Sequence, residues 1–558
     1  MIMSQVQNKI YTAILFSTFL IQAGFAQTPI KKEVEVVKPY EPVVSDAYKI
    51  NTLPKISDSV VIHPSFNYNI VPTMVQTEFE VSRINAAKMV SPPLTKLYKS
   101  YLKLGLGNYS TPMAEIYINS LRSKKHSAGI FLEHKSSGGK VTLDNKQKAY
   151  AGYSNSGATL FGKRYFSKSY LYADGGIKNH TVFDYGYNPE ITDTILEKGE
   201  IRQFYLTAFA NAGIRSSHND SSRLFYNVGV GYKYLQDRFK FGEHAITVVA
   251  NGNKVFKKST LNLRSNLNFY KPNAMLDSSR NSNILLSINP YVGMASDEYR
   301  LNVGFDLSME QQFGKNHLHI YPVAELNFNV VKSVLIGLFG VYGEVKSNPY
   351  QAITAENPFI KPGLLAKNSN VQVAYYGGVK GSLGSKASYI AKVTFSKIKN
   401  DLFFINDSTT TLQNQFIALY DNDEVVQAYA GMNYEVSEKL DLGVKANYYQ
   451  YTLQKEQYAW HRQNFDLTLS SKYNLQNKIL VDFDVIYIGK RYAKQFDPLV
   501  RFTPLPSVLD FNAGIEYRYT KILSFWLKFN NFTAAKYQQW NQYPNQRFNM
   551  MVGLTYSM

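Results

Sequence analysis

Along most of the chain, apolar and polar side chains alternate one by one. Residues 547–558 show the rhythm clearly: Phe548, Met550, Val552, Leu554, Tyr556 and Met558 share one face, and Asn549, Met551, Gly553, Thr555 and Ser557 share the other. Residues 509–519 repeat it, with Leu509, Phe511, Ala513, Ile515, Tyr517 and Tyr519 against Asp510, Asn512, Gly514, Glu516 and Arg518. Residues 299–309 put Arg300, Asn302, Gly304, Asp306 and Ser308 on a polar face. A period of two sends successive side chains to opposite faces of a strand. A soluble sandwich with one wet face gives the same rhythm, and so does a membrane barrel whose faces meet lipid and lumen.

Turn lengths extend the pattern. Short polar turns occur at Arg122-Ser123-Lys124-Lys125, Phe166-Ser167-Lys168, Ser296-Asp297-Glu298, Val331-Lys332-Ser333, Gly384-Ser385-Lys386, Ser437-Glu438-Lys439, Leu475-Gln476-Asn477 and Thr520-Lys521. Longer connectors, notably 188–200, 347–369, 489–506 and 533–546, alternate with them. Bacterial barrels have short periplasmic turns and long outer loops. Imposing that parity on residues 100–558 gives about 22 strands, the last running down to a periplasmic C-terminus. Pro322 falls inside one of them and predicts a bulge or an early strand end. Lipid cannot satisfy free N–H and C=O groups, so such a sheet has to close on itself.

Composition and leader separate the barrel from the sandwich. Tyr 43 and Phe 34 make the chain rich in aromatics, while mean hydropathy is only −0.26. Past the first 26 positions there is no apolar run of the roughly 20 residues that a membrane helix needs. The first 26 read as a cleaved secretory signal, with Lys9 before the apolar stretch from Ile10 to Ile21 and cleavage between Ala26 and Gln27. With no Cys in the chain, lipid anchoring, disulfides and thiolate metal sites are excluded. Export, many long strands and aromatic strand ends together point to the outer membrane.

The fold class is therefore all-β: a single transmembrane antiparallel barrel over 100–558, preceded by an irregular arm over 27–99. That arm holds eight of the 20 prolines, which break helices and inner strands alike. The formal net charge of +19 fits a solvated basic surface, anionic lipopolysaccharide head groups or anionic solutes as partners.

The sequence carries no recognisable catalytic constellation, and the chain reads as a non-enzyme. There is no His-Glu-x-x-His and no phosphate loop. Ser396 and Lys399 match a bare Ser-x-x-Lys, but that chemistry needs a helical turn between them, and both fall on a predicted strand. His317 and His319 share a strand face without further ligands, so no metal or cofactor site is assigned. Lumen-facing charges such as Arg264, Arg300, Lys445, Glu516 and Arg518 are what any wide barrel uses to wet its interior.

The C-terminal third carries a family resemblance. His461-Arg462-Gln463-Asn464-Phe465, Gly489-Lys490-Arg491-Tyr492, Ile515-Glu516-Tyr517-Arg518-Tyr519, and Asn530-Asn531-Phe532 with Lys536-Tyr537 resemble the barrel end of TonB-dependent receptors. The resemblance implies a 22-strand outer-membrane barrel that takes part in solute transport. It also implies a TonB box, a segment that pairs with TonB as an added strand, for which Glu33, Val34, Glu35, Val36 and Val37 have suitable composition and position. The chain departs from the family in one respect: 27–99 is too short and too proline-rich for a globular plug. A lumen of this width is then occluded by the arm, by inward-folded loops or by another protein. The alternative to transport is a scaffold subunit of an outer-membrane assembly, docking partners through the arm.

Overall fold

In the computed structural model the described residues are 97–144, 146–187, 196–218, 223–257, 259–273, 282–496 and 501–558. Contacts divide the chain into Met1–Pro72 and Thr73–Met558, and every described residue belongs to the second unit. The expectations for the signal, its cleavage at Ala26 and Gln27, the arm as far as residue 96 and the strand 33–37 lie outside the described residues.

Twenty-two antiparallel strands form one sheet in which each pairs with its neighbours in sequence. The first, Ser100–Gly107, also pairs with the last, Asn549–Ser557, so that Leu102 faces Tyr556 and Leu104 faces Leu554. Ser100 N–H donates to the Met558 carbonyl at 2.8 Å, and Met558 N–H returns to Ser100 at 2.9 Å. The sheet has no free edge, as a hydrocarbon surround requires. Strand count and closure agree with the reading from alternation and turn parity.

The alternation sorts as expected. On the last strand Val552 is 54% exposed on the outer face, while Met551 beside it is 3% exposed. Leu509, Ile515 and Tyr517 are likewise exposed, and Asp510 is buried. The outward apolar side chains form the surface that meets acyl chains, and the polar face lines the lumen. All eight short turns read from the sequence fall at one end and the four long connectors at the other.

Wall height varies around the cylinder. Ala387–Asn406 has 20 residues and Phe416–Ser437 has 22, about twice the 9–11 that a tilted strand needs to cross a bilayer. Ser100–Gly107 and Thr111–Asn119 have only eight and nine. The tall strands rise past the membrane at the long-loop end and give the loops a wall to pack on.

Pro322 does not end its strand or bulge it. Lys315–Val331 runs straight through, with Pro322 opposite Phe305. On its other side, pairing with Leu335–Lys346 has already stopped at Ala324–Val341, so the missing N–H removes no ladder bond there. A second proline, Pro290, lies one strand beyond Phe305. The Asn289 side-chain amide donates to the Phe305 carbonyl at 3.0 Å, replacing the bond that Pro290 cannot make.

Candidate functional site

The loops at the tall end fold over one another into a cap with its own apolar core. Its first arm is the 347–368 loop, which contains the helix Tyr350–Glu356. Pro349 stands at the N-cap. The Tyr350 and Gln351 N–H groups donate to the Glu243 carboxyl oxygens at 2.9 and 3.1 Å, which satisfies two orphan donors at the start of the helix. The Tyr350 hydroxyl donates to Asp237 at 2.8 Å, pinning the helix to the rim between Phe225–Asp237 and Gly242–Phe256. Further on, Tyr205 donates to the Pro358 carbonyl at 2.7 Å, and Ile360 forms a parallel bridge with Phe416.

The second arm is the last loop, 531–548. Asn541 donates to the Asn406 side chain at 2.9 Å, Tyr543 to the Asn414 carbonyl, and Gln546 to the Ala151 carbonyl at 2.8 Å. Tyr185 donates to Pro544 O at 2.9 Å. The arms meet where Phe359 stacks on Tyr543, ring centroids 3.8 Å apart. Around that contact lie Tyr350, Ile353, Phe404, Phe416 and Trp540, all buried. Loops from strands far apart around the barrel converge here, so the cap spans the mouth rather than lining its rim.

Within the cap, His461 has both ring nitrogens engaged: Nδ1–H donates to the Phe404 carbonyl at 2.9 Å, and Nε2 accepts from Asn541 N–H at 3.2 Å. Burial pushes its pKa down to about 4, so the ring is neutral. Asp184 is buried, its Oδ1 has no partner, and desolvation raises its pKa to about 7.

Between the last loop, the 454–464 loop and the hairpin Arg491–Lys494/Phe502–Leu505 lies a cavity of about 470 Å³. Phe403, Trp460, Trp540 and Ile486 supply apolar wall, and Arg462, Arg491, Glu356, Asp510 and Tyr537 supply polar groups. Arg462 is spoken for: it grips Asp401 through two bonds, at 2.5 and 3.1 Å, and donates to Leu402 O at 2.8 Å. Arg491 differs. It is 4% exposed, its two Nη groups donate to the carbonyls of Gln538 and Gln539 at 2.6 and 3.0 Å, and its Nε has no partner. Among the described residues no carboxylate pairs with it. Burial lowers its pKa, opposed by Tyr537. Asp510 accepts the Tyr537 hydroxyl at 2.9 Å on Oδ2, while its Oδ1 is also unpartnered.

No family model matches the sequence, and no curated protein matches it either. Solved structures do. The iron transporter FrpB from Neisseria meningitidis matches over 83% of this chain and 82% of its own, with 11% identity and a TM-score of 0.64. The copper transporter OprC matches over 84% and 81%, with 9% identity and a TM-score of 0.62. The siderophore receptor PirA from Acinetobacter baumannii matches over 84% and 81%, with 8% identity and a TM-score of 0.64. The barrel has the fold of the TonB-dependent receptors.

In this barrel with the fold of TonB-dependent receptors, three of the segments that carry the resemblance meet: His461 and Arg462, Arg491, and Tyr537 all line the one cavity. The other residues singled out in the sequence do not join it. Ser396 and Lys399 lie on the strand Ala387–Asn406 as expected. His317 and His319 stack at 6.1 Å, His319 reaches Glu310 at 3.4 Å, and among the described residues no group of three or more His, Cys, Asp or Glu is placed to hold a metal. Arg264 lies over the Tyr291 ring at 4.8 Å, and Arg518 pairs with Glu516 at 3.6 Å. The cap core was missed altogether. Its signal is present in the aromatic residues of connectors that carry no strand rhythm, Tyr350, Phe359, Trp460, Trp540 and Tyr543.

Proposed function

We propose that this protein is a solute-transport barrel of the outer membrane whose resting state is closed by its own outer loops. The observation that carries this reading is the cap: two long loops reach across the mouth and bury a shared aromatic core around Phe359 and Tyr543. Support for transport comes from the fold shared with iron, copper and siderophore proteins. A cap assembled from separate loops is a natural gate, because loop packing can loosen while the hydrogen-bonded wall stays intact. Outer-leaflet lipopolysaccharide surrounds the wall, and TonB is the partner that the 33–37 segment would engage by strand addition.

Single-channel conductance tests the reading. Three proteins are compared: the full chain, one lacking 27–99, and one with 350–360 replaced by a glycine–serine linker. Closed traces for the first two and large openings for the third are expected. Opening on removal of 27–99 alone would move the gate to the arm, and no conductance from any of the three would refute transport.

A further inference from the structure

The cavity beside the cap holds two opposite charges that do not satisfy each other. Arg491 is buried, has no anionic partner among the described residues, and keeps Nε–H unpaired there although its Nη groups are held by the backbone of 538–539. That grip fixes the guanidinium plane and leaves the Nε edge buried and unpartnered at the cavity wall, where a ligand meets it only by displacing the wall slightly. The matching ligand for such an edge is a carboxylate, which takes two parallel N–H···O bonds. Asp510 lines the same cavity with its buried Oδ1 unpartnered, and the Glu356 carboxylate, exposed to solvent, also lies on its wall. These acceptors call for a donor, and an ammonium group suits them best.

We propose that this cavity is a binding subsite for a small zwitterion of the α-amino-acid or short-peptide class. The ligand's carboxylate lies on the Nε edge of Arg491 and its ammonium on Asp510 and Glu356. The proposal rests on the transport reading and names the class of solute it takes. A buried charge left without a counter-charge is strongly unfavourable. A zwitterion supplies both counter-charges in one molecule, whereas a polyol supplies hydrogen bonds and no charge. Size agrees: about 470 Å³ falls in the range of small-molecule sites and exceeds one amino acid, leaving room for a second residue. The walls agree too, since Phe403, Trp460, Trp540 and Ile486 accept an apolar side chain. Arg462 plays no direct part, because Asp401 already neutralises it.

The test is titration calorimetry on the detergent-purified full chain with alanine, phenylalanine, dialanine and diphenylalanine. Propionate, propylamine and maltose serve as single-feature controls. Saturable binding of at least one zwitterion is expected, at least tenfold tighter than any control. Arg491→Met and Asp510→Asn should each weaken it tenfold or more, with the N-acetylated and the amidated ligand losing the same factor on the wild-type protein. Arg491→Lys keeps the charge and is expected to restore part of the affinity, which separates ligand contact from collapse of the cap. Tight binding of maltose, no zwitterion binding at all, or zwitterion affinity untouched by both substitutions would each overturn the proposal. If binding fails while the cap-opened variant still conducts, the solute class is wrong and the transport reading stands.

Discussion

Replacing Phe416 by Ala should open the cap without unfolding the barrel. Phe416 is 0% exposed, and its ring meets His461, Trp540 and Tyr543 at centroid distances of 5.5, 5.6 and 6.0 Å. Truncating a buried Phe costs about 3–5 kcal/mol. The backbone part of the contact survives: Lys361 N–H still donates to Phe416 O at 2.8 Å, and Phe416 N–H to Phe359 O at 3.0 Å. The loss is therefore confined to the side chain, and the lower half of the range applies. At about 1.4 kcal/mol per tenfold, a cap that opens as one unit should be open roughly a hundred- to several-hundredfold more of the time. Proteoliposomes swelling in an isotonic amino-acid or sugar solution report that population directly. The variant should swell far faster than wild type, while its heat-modifiable gel mobility shows an intact barrel. A folded Phe416→Ala barrel that swells as slowly as wild type would refute the idea that this core holds the mouth shut.

Four further outcomes follow from the geometry. His461 is held neutral with a pKa of about 4 against about 6.5 when exposed, so its contribution is full above pH 6.5 and is lost as pH falls toward 4; conductance should rise across that window, and His461→Gln should flatten the rise. Asp184 has the opposite sign: its raised pKa of about 7 means that stability is lost as pH climbs from about 4 to 7, and Asp184→Asn should tighten the cap at pH 8 yet change little at pH 4. Asp401→Asn removes the two-bond clasp on Arg462, whose side chain is 32% exposed, and should weaken the cap by about 2 kcal/mol, seen as faster protease nicking within 454–464. In the wall itself, Asn289→Ala orphans the Phe305 carbonyl and should lower barrel stability by about 1–2 kcal/mol, measured by urea unfolding in micelles.

The wall was legible because its physics is local. Alternation fixes which side chain meets lipid, and turn length fixes which end it belongs to, so residues 509–519 and 547–558 announced their faces without any tertiary knowledge. Pro322 misled for a related reason. The sequence marks a residue that cannot donate, but whether a donor was needed depends on where the neighbouring ladder stops, and that is set by the register of Leu335–Lys346. The cap was illegible because its contacts are non-local. Nothing near Phe359 foretells Tyr543, and nothing near Arg491 foretells the carbonyls of 538–539. His461, Arg462, Arg491 and Tyr537 were noticed only through family likeness, which offered no hint that they share a cavity.

The seam of the cylinder has a consequence for the surrounding lipid. Eight residues of Ser100–Gly107, at about 3.4 Å each and tilted by roughly 40°, cover only about 21 Å of membrane normal. Outer-membrane barrels present an apolar band of about 25 Å. Acyl chains beside the seam must shorten or tilt to match, at a modest cost for each ångström of mismatch. The tall side, Ala387–Ser437, imposes no such strain. Lipids around this protein are therefore compressed on one flank only, and that flank, where the sheet is closed by short ladders, is where the bilayer pushes hardest on the barrel.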